Sequence, residues 1–195
     1  MKTRVTIKVM SLLILFSAGR LNAADYTVNP SKSVVKWNGK KVTGEHSGTI
    51  SVKSGSLNFE AGGLQGGQID IDMTSIVNED LKDAGVNGRL VGHLKSDDFF
   101  SVDKFPVASL KLTQVKKLSG TEFELTGNLT IKGITHPVTF NASVKQEGKT
   151  VSAAGKMTIN RAKYDVRYGS GSFFQGLGDK LIYDDFTLDF TLTAE

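Results

Sequence analysis

Apolar and polar side chains alternate along this chain in run after run, and that period of two constrains the fold more than any other feature. Ile69, Ile71 and Met73 alternate with Asp70 and Asp72. Phe123, Leu125, Leu129 and Ile131 share one parity, with Glu122, Glu124, Asn128 and Thr130 on the other. Val138, Phe140, Ala142 and Val144 repeat the pattern, as do Val151, Ala153, Met157 and Ile159, then Phe186, Leu188, Phe190 and Leu192. Ala108, Leu110 and Leu112 add a run, Ile50, Val52, Leu57 and Phe59 a bent one, and Val35 with Trp37 begins the series. Such alternation marks strands with one buried and one wet face. Asn38-Gly39, Ser54-Gly55, Gly62-Gly63, Ser119-Gly120, Lys132-Gly133 and Glu147-Gly148 suit tight reversals between them. The runs number about eight, and short connections make neighbours antiparallel. A sheet of that size closes or folds into two layers, because open edges invite aggregation. The expectation is an all-β, eight-stranded antiparallel barrel, with Leu125 and Phe140 among its inward residues.

One segment breaks the alternation. Between Glu79 and Lys95, Val86, Leu90 and Leu94 lie at helical spacing. Gly85, Gly88 and Gly92 each cost about 1 kcal/mol relative to Ala in a helix interior, so this short helix, about 79–95, depends on packing against the barrel. His93 projects between Val86 and Leu90, on the apolar flank. It either hydrogen-bonds a ligand head group or is a satisfied, half-buried histidine. Phe99 and Phe100 follow, ahead of a return to strand at Pro106. Being adjacent, they cannot share a face: one enters the core and the other lines a mouth or the helix–barrel seam.

The N-terminus reads as a targeting signal. Lys2, Arg4 and Lys8 precede the apolar run Val9 to Phe16, which is too short to cross a bilayer, where ~20 apolar residues are needed. With small residues at Ala23 and Ala24, residues 1–23 are expected to be a cleaved secretory signal peptide, leaving residues 24–195 as one domain, periplasmic and without a stable membrane anchor. Lys2, Arg4, Lys8 and Arg20 account for the whole net charge of +4; the rest balances against 20 acidic residues. No basic stripe speaks for nucleic acid. With no cysteine, disulfides, thiolate catalysis, zinc–thiolate sites and a lipidated N-terminal cysteine are excluded.

Catalytic patterns are missing. His46, His93 and His136 show no recognised metal-ligand spacing, even with Glu45 or Asp97 nearby. Asp184 and Asp185 are adjacent on a strand and point to opposite faces. There is no Gly-x-Ser-x-Gly elbow, and Gly169-x-Gly171 lies between strands rather than before a helix. No enzyme activity and no cofactor are expected. Arg161 extends the inward parity of Val151, Ala153, Met157 and Ile159. A buried guanidinium needs compensation, from Asp97 or Asp98 or from an anionic ligand head.

Five stretches carry a resemblance: Tyr26-Thr-Val-Asn-Pro-Ser-Lys-Ser-Val-Val-Lys-Trp37; His93-Leu-Lys-Ser-Asp-Asp-Phe-Phe100; Phe105-Pro106; Gly127-Asn-Leu-Thr-Ile-Lys-Gly-Ile-Thr-His-Pro-Val138; and Ile159-Asn-Arg161 with Tyr164. In this order they resemble the YceI-like family of exported, lipocalin-like polyisoprenoid-binding proteins. The resemblance covers essentially the whole of residues 24–195. It implies an elongated apolar cavity, an apolar lipid partner, a polyisoprenoid as bound molecule, and binding rather than catalysis; a homodimer is left open. The ligand-binding candidates in this chain are His93, Phe99, Phe100, Leu125, Phe140, Arg161 and Tyr164. The loop Tyr168-Gly-Ser-Gly-Ser-Phe-Phe-Gln-Gly-Leu-Gly178 departs from the family pattern. The alternative is a barrel with a filled core, acting as a stress-related interaction module; a metal-dependent hydrolase is a distant third.

Overall fold

The computed structural model describes residues 24–60 and 63–195; the expected signal peptide lies outside them. The strands are β1 (Ala24–Thr27), β2 (Val34–Lys41), β3 (Gly44–Glu60), β4 (Gly63–Asn78), β5 (Val107–Ser119), β6 (Glu122–Ile131), β7 (Ile134–Glu147), β8 (Thr150–Asn160) and β9 (Ile182–Ala194). One helix, α1 (Ala84–Lys95), joins β4 to β5. Each of β2 to β9 pairs antiparallel with its neighbours, and β3–β4 pairing closes the ring into an eight-stranded barrel. The short β1 continues the line of β2 past the 3-10 turn at Pro30–Lys32: it pairs with β3, and Thr27 exchanges backbone hydrogen bonds with Glu195.

Side-chain parity sets what each strand buries. Along β6, Phe123, Leu125, Leu129 and Ile131 are buried; along β8, Val151, Ala153, Met157 and Ile159 are. In β3 the parity switches: Ile50 and Val52 are buried, then Leu57 and Phe59. The switch coincides with a register irregularity between Val52 and Ser54, an extra residue that re-aims the strand.

Two expected reversals are absent, because each pair lies inside a continuous strand. Ser54-Gly55 lies within β3, where a Cβ on Gly55 would approach Gln68 O to 2.8 Å, so the glycine permits close strand approach instead of a turn. Asn38-Gly39 lies within β2, next to a register shift between Gly39 and Lys41. Lys132-Gly133 does make the reversal between β6 and β7, both residues having positive φ (51° and 73°), as a tight hairpin turn requires.

The helix starts later than its spacing predicts. Asp83 is its N-cap, its carboxylate accepting from Val86 N at 2.8 Å, and residues 79–83 form a loop. Side chains hold that loop. The Asn78 side-chain oxygen Oδ1 accepts from Leu81 N, Asn87 Nδ2 donates to the backbone carbonyls of Asn78 and Leu81, and Asp80 accepts from Ser47 N and His46. These bonds compete with helical ones and win, so the helix cannot reach back to Glu79. On α1 Leu94 is buried and Leu90 packs half-buried against the core, while Val86 is exposed, so the apolar stripe is seated toward the helix's C-terminal half.

Candidate functional site

The barrel encloses an apolar cavity of about 200 Å³. Its wall runs along β9 from Ile182 to Leu192, roughly 33 Å of strand at ~3.3 Å per residue. Leu94 from α1 and Phe100 reach into it at the helix end, while Leu57, Val144, Ala153 and Leu192 line it farther down. Polar residues border the wall at Ser109, Arg161, Tyr183 and Trp37, and the Trp37 indole N–H already donates to the Val77 carbonyl at 3.1 Å. Such a space fits an apolar chain and offers little to a polar solute.

Arg161 is the one charge on the wall and is 4% exposed. It opens the 3-10 turn Arg161–Tyr164, one residue beyond the last β8–β9 pair, Asn160 with Asp185. There the two strands part, and the guanidinium fills the gap. Nε donates to Tyr183 O (3.1 Å), Nη1 to Val166 O (2.8 Å) and Nη2 to Ile182 O (3.0 Å). Nη2 also lies 3.5 Å from Asp184 Oδ1, and the guanidinium stacks 5.7 Å from the Phe99 ring centre. Burial holds the arginine below its ordinary pKa, and the nearby Asp184 carboxylate acts in the opposite sense. Asp97 and Asp98, the partners expected from sequence, are elsewhere: Asp97 pairs with Lys104 and Asp98 with His93. Both carboxylates stand exposed on the turn after α1, while Phe99 is the residue of that turn that meets Arg161. Asp184 carried a readable signal, since it continues the parity of Phe186, Leu188 and Phe190 two residues back.

The structure divides the seven sequence candidates. Phe100, Leu125, Phe140 and Arg161 line the cavity. His93, Phe99 and Tyr164 lie outside its wall. His93 approaches Asp98 at 3.3 Å and meets Phe99 and Tyr168 edge-on, with ring centres 4.9 and 4.4 Å away. Phe99 is buried between this cluster and Arg161, while its neighbour Phe100 faces the cavity and meets Phe186 edge-on, dividing core and mouth as adjacency requires. Tyr164 is 1% exposed, edge-on to His136, with a hydroxyl that has no hydrogen-bond partner; burial raises its pKa. Asp184 and Asp185 do turn apart: Asp184 faces Arg161, and Asp185 accepts from Asn160 Nδ2. Among the described residues no three His, Asp or Glu side chains gather as a metal would require.

A closed barrel around one long apolar cavity, with a helix and a loop at one end, is a lipocalin-like architecture. The YceI-like domain model matches residues 26–194, and the chain belongs to that family. It is 31% identical over 141 residues to a UPF0312 protein of Azotobacter vinelandii, covering 69% of each. A UPF0312 protein of Photorhabdus laumondii is 46% identical over 88 residues, 41% of this chain and 45% of that protein, so the match spans under half of that relative. Among solved structures, BcnA of Burkholderia cenocepacia superposes with a TM-score of 0.67 at 25% identity, covering 86% of this chain and 99% of that one. A polyisoprenoid binding domain from Saccharophagus degradans gives 0.62 at 16% identity, covering 87% and 97%, a likeness of fold.

Proposed function

We propose that this protein binds a long apolar, isoprenoid-type lipid inside its barrel and carries it as an exported, periplasmic protein without catalysing a reaction on it. The cavity wall carries this reading. It is long, narrow and apolar, and its one charged side chain has its donors already directed at three carbonyls and a carboxylate. A chain burying successive CH₂ groups there gains about 0.8 kcal/mol for each. The likeness in fold to a polyisoprenoid binding domain supports the same ligand class. Export rests on the basic head and short apolar run of residues 1–23.

Native mass spectrometry of protein purified from its own host tests the proposal. A co-purifying lipid of several hundred daltons or more is expected. Repeated absence of any lipid, with no uptake of added polyprenol, would overturn it in favour of the filled-core barrel.

A further inference from the structure

Most of the large apolar side chains left exposed among the described residues crowd at one end of the barrel. Tyr168, Phe173, Phe174 and Tyr183 are all close to half exposed there, and Val42 joins them from the β2–β3 tip. The β8–β9 loop that carries the first three is tied to the start of β9. Ser170 bridges Ile182, and Ser172 Oγ donates to Asp184 Oδ2 at 2.6 Å. Val42 N donates to Leu181 O at 3.1 Å, which brings the β2–β3 tip to the same place. Tyr183 stands on β9 between Ile182 and Asp184, whose side chains face inward, so its ring turns outward and is 49% exposed while the residue's backbone borders the cavity beside Arg161. The exposed aromatic rim therefore lies against the end of the apolar interior at the start of β9.

We infer that this rim is a docking surface for a lipid bilayer with anionic headgroups, through which the cavity exchanges its ligand. This rests on the lipid-binding reading above. A ligand that gains from every CH₂ buried in the cavity loses as much in crossing water, so the mouth must meet the bilayer. Phe and Tyr on an exposed loop are the side chains that settle at a membrane–water interface. Charge agrees in sign. Arg167 is paired with Asp165 and Lys40 with Glu45, but Lys41 and Lys180, beside the rim, have no ion-pair partner among the described residues. Asp179, exposed on the same turn as Lys180, limits that attraction, so the apolar contribution leads and salt weakens binding only modestly. No helix among the described residues is long and apolar enough to cross a membrane, so the proposed contact is peripheral.

The test is co-sedimentation of the protein purified from its host with vesicles of phosphatidylethanolamine and phosphatidylglycerol. The parent should sediment with them, and Phe173→Ser with Phe174→Ser should weaken binding by about tenfold or more with unchanged melting. Lys41→Glu with Lys180→Glu should abolish the preference for vesicles containing phosphatidylglycerol. Leu118→Ser, at the β5–β6 turn on the opposite end, should bind as the parent does. Leu125→Trp, inside the cavity, should also keep vesicle binding, which separates this proposal from the fate of the cavity reading. A parent that stays in the supernatant would overturn it, as would parent-like sedimentation of the double Phe variant. So would a parent dimer, by light scattering, that the double Phe variant dissociates, since a second copy would then be what covers the rim.

Discussion

Arg161 stands where β8 and β9 stop pairing, and its guanidinium satisfies carbonyls that a strand neighbour would otherwise have satisfied. Its role is thus set by backbone geometry before any ligand enters. Arg161→Met keeps much of the stem but strands Asp184 and three carbonyls in a buried site. A loss of about 3–5 kcal/mol is expected, read by denaturant unfolding of ligand-free protein. A variant as stable as the parent would mean that the charge serves a ligand head instead. Tyr164 is the opposite case. Its hydroxyl is buried and unpartnered, so Tyr164→Phe should change stability by less than about 1 kcal/mol, and in the stabilising direction. A larger loss would show that the hydroxyl has a partner, such as an ordered water. At this scale the sequence shows that Arg161 points inward but not what compensates it. Alternation gives direction along one strand, whereas the pairing with Asp184 depends on where two strands diverge.

The elements were legible wherever burial alone decides. Eight alternating runs became β2 to β9, because each strand has one face on the cavity side and one in water. The misreadings fall where a local signal has two physical meanings. Glycine in Ser54-Gly55 marks a close approach between strands, and the residues before Asp83 form a hydrogen-bonded loop rather than a helical turn. That loop hinges on Asp80. Burial alone would raise its pKa, but the Ser47 N–H, His46 and Asn78 outweigh it and hold it down to about 2. A carboxyl group depressed below its unfolded value near 3.9 contributes stability above that value and loses it as pH falls toward 2. Because the side chain is 32% exposed, solvent screening reduces the contribution to about 1 kcal/mol. Asp80→Asn should therefore be less stable than the parent near neutral pH, with the gap closing between about pH 4 and pH 2. Urea unfolding of both proteins across that range measures it, and a gap independent of pH would remove the carboxylate from the account.

At the scale of the whole molecule the question is whether the interior works as a container. Eight strands place a barrel at the boundary between a side-chain-filled core and room for one ligand. Here the balance tips toward room, since Ala108, Ala142 and Ala153 stand on the wall among the larger residues and about 200 Å³ stays open. Sequence alternation could show which residues face inward but not this volume, which depends on barrel curvature and on how Leu94 and Phe100 seat at the helix end. Leu125→Trp tests the container directly. In an open cavity the indole occupies space that is otherwise free, so the variant should fold with stability within about 1 kcal/mol of the parent yet take up little or no added polyprenol. In a filled core the same indole must displace packed neighbours, costing about 1–3 kcal/mol, and the parent itself would take up nothing. Polyprenol titration and thermal melting of parent and variant, run side by side, distinguish the two: lost uptake with kept stability supports a carrier, and lost stability with a parent that never bound lipid rules it out.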